Sequence, residues 1–367
     1  CGPLDLTLGD QEFVNMTVDE YLPIAGLPVG YMQFIEIARE IDKRDLQLLV
    51  LDEPTAVLTE LEASDFLKTV RKLADMGISI LFISHRLDEI KRITDSITIL
   101  RDGEVVKSVE TSKISLRDIA KLMVGRDLGT STIEGKDRKI EEDYILEMKD
   151  LNVDMLGEKV KGIDLNVRKG EILGIGGLAG QGKIGIANGI MGLYGTKGSI
   201  IKNGKDMPLN NPRETLNSSI AFLSEDRRNV GLLLDESIEL NMTVTGIEIK
   251  SKFIKSIGPL KLINRKEIRN HALDMIKKLD IRCTSSRQLV RNLSGGNQQK
   301  VCIARALTLE PDLLLVSEPT RGIDVGAKKL VLDTLIKLNR DFNMTIIITS
   351  SELGELRLIS DRIAIIY

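Results

Sequence analysis

Tryptophan is missing from the chain, and five tyrosines and seven phenylalanines bring aromatic residues to only 3%. That scarcity excludes a protein that binds single-stranded nucleic acid on stacking platforms. Charge of one sign is not in excess: 51 Lys and Arg face 54 Asp and Glu, a formal net charge of −3. A nucleic-acid binder held by a broad basic surface is excluded with it. No apolar run reaches the roughly 20 residues that span a bilayer, so any role at a membrane passes through a partner. Cys1, Cys283 and Cys302 have neither metal-ligand spacing nor an even count, which points to a reduced, cytosolic setting. The chain opens on Cys, with no charged-then-apolar leader after it, and is expected to be a piece of a longer protein.

What is present is ordinary globular material. The 367 residues are 42% hydrophobic and 29% charged, enough for about two domains with sizeable cores. They also repeat. Gly30, Ile37-Ala38-Arg39, Leu48 to Leu51 and Asp52-Glu53-Pro54-Thr55 recur as Gly296, Ile303-Ala304-Arg305, Leu313 to Val316 and Ser317-Glu318-Pro319-Thr320. Phe82-Ile83-Ser84-His85 recurs as Ile348-Thr349-Ser350-Ser351, and Asp95 as Asp361. Every block keeps an offset of 265 or 266 residues, so the chain carries a duplicated domain. A glycine-rich loop at Gly177 has its counterpart upstream of Cys1, so the first copy is expected to be incomplete. The hairpin formed by Asp102-Gly103 and the strand after it has no counterpart before Tyr367, which predicts a shortened second copy too.

Short, continuously apolar runs at Leu46–Leu51, Ile78–Ile83, Glu171–Ile175, Leu313–Ser317 and Thr345–Thr349 predict buried parallel strands. Helical patterns lie between them, at Ala63–Ala74, Ile184–Met191, Arg265–Leu279 and Ala327–Leu338. The alternation predicts an α/β fold. A charged stretch without periodicity predicts a linker at 126–143, between domains at 1–125 and 144–367.

Gly177-Leu-Ala-Gly180-Gln-Gly182-Lys183 follows a strand and opens a helix, the setting of a phosphate loop. Glycines let backbone N–H groups close on phosphate oxygens, the helix start adds positive dipole, and Lys183 adds a point charge. The hydroxyl that should come next to ligate Mg²⁺ is replaced by Ile184. Asp52 and Glu53 end a buried strand, where α/β proteins bind ligands. Asp52 suits the Mg²⁺ shell, and Glu53 suits the polarisation of an attacking water. His85 ends the next strand, within reach of the same phosphate. His271, on a charged helix, reads as a solvated residue. Ser294, Gly295, Gly296, Asn297 and Gln298 open a helix with a serine cap and bare glycines, a second place for an anion.

Together these motifs resemble the twin-cassette ATP-binding subunit of bacterial ABC importers, most closely the branch serving ribose, galactose and xylose. Phe222 to Arg228, Asn241 to Val244 and Val290 to Ser294 are similar to that branch's second cassette. The resemblance implies a tandem of P-loop NTPase cassettes, each with a RecA-like core and a helical subdomain, binding ATP and Mg²⁺ between cassettes. It implies one competent site that combines Asp52, Glu53 and His85 with Ser294, Gly295, Gly296, Asn297 and Asp324. The other site collects the departures: Ile184, Ser317 for the metal-binding Asp, Glu225 for a metal-sensing Gln and Ser351 for His85. Its signature face is Pro28 and Gly30, with Pro28 removing a hydroxyl and an N–H donor. Only Glu318 and Lys183 keep their usual identities there, so that site is expected to hold nucleotide without turning it over.

The implied partners are a pair of membrane permease subunits, touched through Asp235–Gly258, and an extracytoplasmic solute-binding protein. The implied place is peripheral, on the cytoplasmic face of the membrane. Because permease and binding protein choose the solute, nucleosides stay open as an alternative cargo. A ribosome-associated twin-cassette ATPase is the rival of another class; it carries two intact sites and a long charged linker, and co-sedimentation with ribosomes separates the two.

Overall fold

The computed structural model describes residues 7–8, 11–12, 35, 39, 46–55, 58, 60–84, 86–101, 103–124, 140–178, 180–257, 260–323 and 325–367. Of the residues singled out above, Cys1, Pro28, Gly30, Ile37, Ala38, His85, Asp102, Gly258 and Asp324 lie outside that set, as do residues 126–139 of the expected linker. The chain divides into two compact units, Cys1–Ser131 and Thr132–Tyr367.

In the first unit β1 (Leu48–Asp52) pairs in parallel with β2 (Ser79–Ile83), in register from Leu48 opposite Ser79 to Asp52 opposite Ile83. The crossover between them is α1 (Glu60–Asp75). Its stripe of Phe66, Leu67, Val70 and Leu73 buries Leu49 and Leu51. After α2 (Leu87–Ile93), β3 (Ser96–Arg101) and β4 (Glu104–Glu110) form an antiparallel hairpin, turned by Gly103 at φ +83°. Ile119 of α3 (Leu116–Val124) packs with Ile97 and Ile99 of that hairpin.

The expectation of fully buried strands needs correcting here. Among the described residues only one face of β1 and β2 is covered, by α1; Leu48, Val50, Leu81 and Ile83 on the other face are exposed. Their repeat equivalents Leu313, Leu315 and Ile347 are buried in the second unit. The cause lies in what packs against them there, as follows.

The second unit has two sheets. An antiparallel one runs in the order β9 (Lys205–Asp206), β8 (Thr196–Lys202), β5 (Tyr144–Val153), β6 (Val160–Arg168). A parallel one runs β10 (Ile220–Leu223), β13 (Leu313–Ser317), β14 (Thr345–Thr349), β7 (Ile172–Gly177), β15 (Arg362–Ile366). One face of the parallel sheet, with Leu313, Leu315 and Ile347, packs on Ile186 and Ile190 of α4 (Lys183–Ile190) and on the antiparallel sheet. The other face packs on α8 (Gly295–Thr308), α9 (Val325–Phe342) and α10 (Leu353–Ile359). Among the described residues of the first unit nothing takes the place of α4, and the same side chains stay open there.

α5 (Pro212–Asn217) precedes β10, and further elements stand between β10 and α8. They are α6 (Ile238–Lys250), the hairpin β11 (Ile254–Ile257) with β12 (Leu260–Ile263), and α7 (Arg265–Lys278). Fully buried Asn241 ties this helical arm to α8: Arg305 donates to its carbonyl and to its Oδ1, both at 2.7 Å. His271 belongs to this packing and is not a solvated residue. Its Nε2 lies 2.8 Å from Thr308 Oγ1 and its ring 5.1 Å from that of Phe253, and burial lowers its pKa. Cys302 is buried in the same core, with its thiol pushed up to about 12 by desolvation, and packs as an apolar residue.

One-sided burial of β1 predicts a split in stability. Leu51→Ala is expected to cost about 2–5 kcal/mol and Leu48→Ala less than about 1 kcal/mol in urea unfolding of this chain. Equal costs would contradict the assigned faces.

Candidate functional site

The C-terminal ends of β13, β14 and β7 lie side by side because the three strands pair in parallel and in register. Ligands in open α/β sheets collect at such an edge. From β7 the chain turns through Gly180 at φ +81° and Gly182 at φ +92° before α4 begins at Lys183. Side chains other than hydrogen are disfavoured at both angles. The turn directs the N–H groups of Gly180, Gly182 and Ile184 to one place, where they donate to the carboxylate of Glu158 at 2.8, 2.9 and 3.4 Å. Gly177, the last residue of β7, lies against the carbonyl of Ile366: a Cβ there would stand 2.6 Å from that oxygen.

Lys183 is 1% exposed, and its Nζ stands 3.8 Å from Glu318 Oε1. Ser351 Oγ donates to the same oxygen at 2.6 Å. Lysine, glutamate and serine therefore form one charge-balanced group at the edge of the parallel sheet. Ser317, the last residue of β13, is fully buried, and its Oγ has no hydrogen-bond partner among the described residues. Glu225 follows β10, where Ser224 Oγ approaches its carboxylate at 3.4 Å.

The glutamate after each repeated strand has the same unusual backbone. Glu53 has φ 46° and Glu318 φ 44°. Each donates its N–H to the last strand residue of its neighbour, Glu53 to Ile83 O at 2.8 Å and Glu318 to Thr349 O at 2.9 Å. Left-handed conformations of non-glycine residues cost about 1–3 kcal/mol and persist where the surroundings enforce them. The threonine two residues on is also used identically. Thr55 Oγ1 donates to Glu89 Oε2 and Thr320 Oγ1 to Glu355 Oε1, both at 2.6 Å, and all four side chains are buried. Asp52 and Glu53 are exposed beyond this brace.

The opening of α8 forms a second cluster. Ser294 has the extended backbone of an N-cap, but its side chain makes no capping bond; its Oγ accepts from Asn297 Nδ2 at 2.9 Å. The expected serine cap is corrected accordingly. Asn297 Oδ1 in turn accepts from Arg282 N at 2.9 Å. Gly296 lies against Ala327, where a Cβ would come within 2.6 Å. Gln298 is buried, and its Nε2 donates to Val290 O at 3.3 Å, so it braces the preceding turn and faces away from the exposed helix start. Sequence reasoning missed Arg227. Its guanidinium packs on Gly295 and donates to the carbonyls of Arg321 and Gly322 at 3.5 and 3.4 Å, joining the start of α8 to the loop before α9. It missed Glu158 as well, since a single glutamate in a turn between two strands carries no pattern.

A metal fits the two units differently. In the second, Ile184 offers no oxygen, Ser317 is buried, and Glu318 is already engaged by Lys183 and Ser351, so the residues present do not fit Mg²⁺. In the first, Asp52 is an exposed hard-oxygen donor at a strand end, of the kind Mg²⁺ takes singly with phosphate and water. Among the described residues no three His, Cys, Asp or Glu gather as a self-sufficient metal centre.

The family model described as ABC transporter matches residues 160–321. The ribose import ATP-binding protein RbsA of Clostridium tetani is 39% identical over 353 residues, which is 96% of this chain and 67% of that protein. The xylose import ATP-binding protein XylG of Thermoanaerobacter pseudethanolicus is 38% identical over 360 residues, 96% of this chain and 69% of that one. Among solved structures, a nucleotide-free ATP-binding cassette from an ABC transporter superposes with a TM-score of 0.51 at 21% identity, covering 61% of this chain and 88% of that one. The last likeness speaks to the fold.

Two outcomes follow from the charges. Glu318→Gln leaves Lys183 buried without its counter-charge and is expected to cost about 3–5 kcal/mol, with pyrophosphate restoring the thermal midpoint. An unchanged midpoint would show that the ion pair carries no weight. Burial raises the pKa of Glu355, against the hydrogen bonds from Thr320 and Ser350. The folded state thus keeps that proton to higher pH than the unfolded chain, and stability is lost as pH rises from the ordinary carboxylate range through the raised value. Glu355→Gln keeps an acceptor without the charge. Its thermal midpoint should match the parent's in acid and exceed it increasingly toward neutral pH; a difference constant with pH would refute this.

Proposed function

The chain belongs to the ATP-binding proteins of ABC transporters, and from that we propose that it energises a membrane permease importing a pentose or related simple sugar. ATP-hydrolysing cassettes of this family act on permeases, and no helix among the described residues is long and apolar enough to cross a membrane. The cargo reading is supported by the ribose and xylose import relatives. A permease pair, an external sugar-binding protein and a peripheral place at the cytoplasmic membrane face complete it. Within the arm, the segment Asp235–Gly258, with α6 and β11, is the surface proposed for the permease.

Turnover runs through Glu53 and not through Glu318. The observation that carries this division is that the strained glutamate occurs twice, preceded by Asp52 in the first unit and by the buried Ser317 in the second, where Ile184 follows Lys183 in the motif. Glu318 is bonded to Ser351 and paired with Lys183, and Glu53 stands at an exposed strand end beside the hard-oxygen donor Asp52. An exposed carboxylate at that edge can orient a water and take its proton as the terminal phosphate leaves. Asp52, its neighbour, would hold Mg²⁺, which supplies charge neutralisation for the phosphates when bound. The second unit, with its phosphate loop and Lys183, binds nucleotide as a standing ligand.

Transport assays in liposomes containing the full transporter test this. Glu53→Gln is expected to lower ATP-driven uptake of ribose or xylose by about 10²-fold or more. Glu318→Gln, assayed at saturating ATP so that phosphate supplies the anion Lys183 has lost, should lower it less than about tenfold. Equal losses would overturn the division, and uptake of neither pentose would overturn the cargo.

A further inference from the structure

We propose that Glu158 is a built-in plug of the phosphate loop in the second unit, an intramolecular anion that a nucleotide's phosphates must expel in order to bind. The proposal rests on reading that loop as a nucleotide site. Three N–H groups of the loop, those of Gly180, Gly182 and Ile184, converge on the two oxygens of this one carboxylate. They are the groups that such a loop turns toward phosphate oxygens. A carboxylate with both oxygens accepting presents the same chemistry as the edge of a phosphate group, so both compete for the same donors.

The seat is shaped as well as charged. Glu158 sits in the turn between β5 and β6, where its own N–H bonds to Met155 O at 3.0 Å and Lys159 pairs with Asp154 at 2.9 Å. That turn presses on the loop closely enough to exclude side chains. A Cβ at Gly182 would stand 2.5 Å from Lys159 O, and one at Gly185 would stand 2.2 Å from Glu158 O. Gly182 is needed for its positive φ in any case. Gly185 has no such reason: it lies inside α4 with ordinary helical backbone, where glycine costs about 1 kcal/mol relative to alanine. What it accommodates is the backbone of the plug, together with Val160 Cγ2 at 2.9 Å. Two independent features, the hydrogen bonds and the missing side chain, thus serve one contact.

Seated, the carboxylate satisfies loop N–H donors that a phosphate would otherwise take, on either side in sequence of the buried Lys183. Displaced, it frees the turn Met155–Lys159, so nucleotide occupancy of this unit is coupled to the position of a surface turn.

Calorimetric titration of the chain with ADP, without metal, tests the plug in three variants. Glu158→Ala should tighten the ADP Kd by about tenfold or more, the value of one lost charge-assisted hydrogen bond. Glu158→Gln, which keeps an acceptor but no charge, should tighten it less. Gly185→Ala, which crowds the turn out, should follow Glu158→Ala. Adenosine, which has no phosphate, should bind all forms alike. An ADP Kd unchanged or weakened in every variant would overturn the plug while leaving the nucleotide site standing. No ADP binding by parent or variants would overturn the nucleotide site itself. If Glu158→Ala fails to fold, the other two variants decide the matter.

Discussion

The feature on which both units depend is a single backbone hydrogen bond at the edge of a parallel sheet. In each copy the residue just past a repeated strand gives its N–H to the last carbonyl of the neighbouring strand, Glu53 to Ile83 and Glu318 to Thr349. That bond captures the chain at a positive φ where it would otherwise continue extended, and the proline that follows cannot donate to the ladder. The buried threonine then anchors the turn to a glutamate on the next helix, Thr55 to Glu89 and Thr320 to Glu355. Strand pairing, a strained residue and a buried polar clamp together fix where the catalytic-type carboxylate starts from. Removing any one relaxes the other two, because the strain persists only while the others enforce it.

On this common frame the electrostatics diverge. In the second unit a lysine that is almost wholly buried needs an anion nearby, since an unpaired buried cation costs several kcal/mol. Glu318 meets that need and is steadied by Ser351. A carboxylate held in place by two partners is not free to reach and orient a water. The clamp diverges too. Glu89 is paired with Arg86 at 2.7 Å, whereas Glu355 has Glu352 in the place of that arginine, with Lys328 between them. Burial and this neighbouring carboxylate raise Glu355, so the same hydrogen bond stands in two charge settings within one chain.

How much of this was legible beforehand depends on how local each feature is. β13 and β14 were readable to the residue, because continuously apolar Leu and Ile runs ending at Ser317 and Thr349 leave little choice of bounds. The helix expected at Ile184–Met191 starts one residue earlier, at Lys183, and that at Ala327–Leu338 runs on to Phe342, since a helix end is set by packing as well as by pattern. Burial was less legible. Leu48 and Val50 carry the same hydrophobic signal as Leu313 and Leu315, and among the described residues it is α4 and the antiparallel sheet, packed on the latter, that separate them. His271 looked solvated because its neighbours are charged, yet helical geometry points it at Thr308 and Phe253 while the charges point outward. At the start of α8 the residue types were right and the bonding was not. Ser294 could cap or accept, and Asn297 decided it.

Glu158 marks the limit of such reading and explains it. A pattern reveals a residue when its partners are near in sequence or when its type is rare, and Glu158 meets its donors 22 to 26 residues away. The only trace it leaves is indirect, in Gly185, a helical glycine with no conformational reason to be one. A glycine of that sort records the approach of another backbone, much as the buried face of β1 records the packing of α1. Both are imprints, in which a residue's size or burial reports on what stands against it. The phosphate loop is therefore shaped from two sides: by its own glycines, which the motif shows, and by the turn pressed onto it, which only the fold can place.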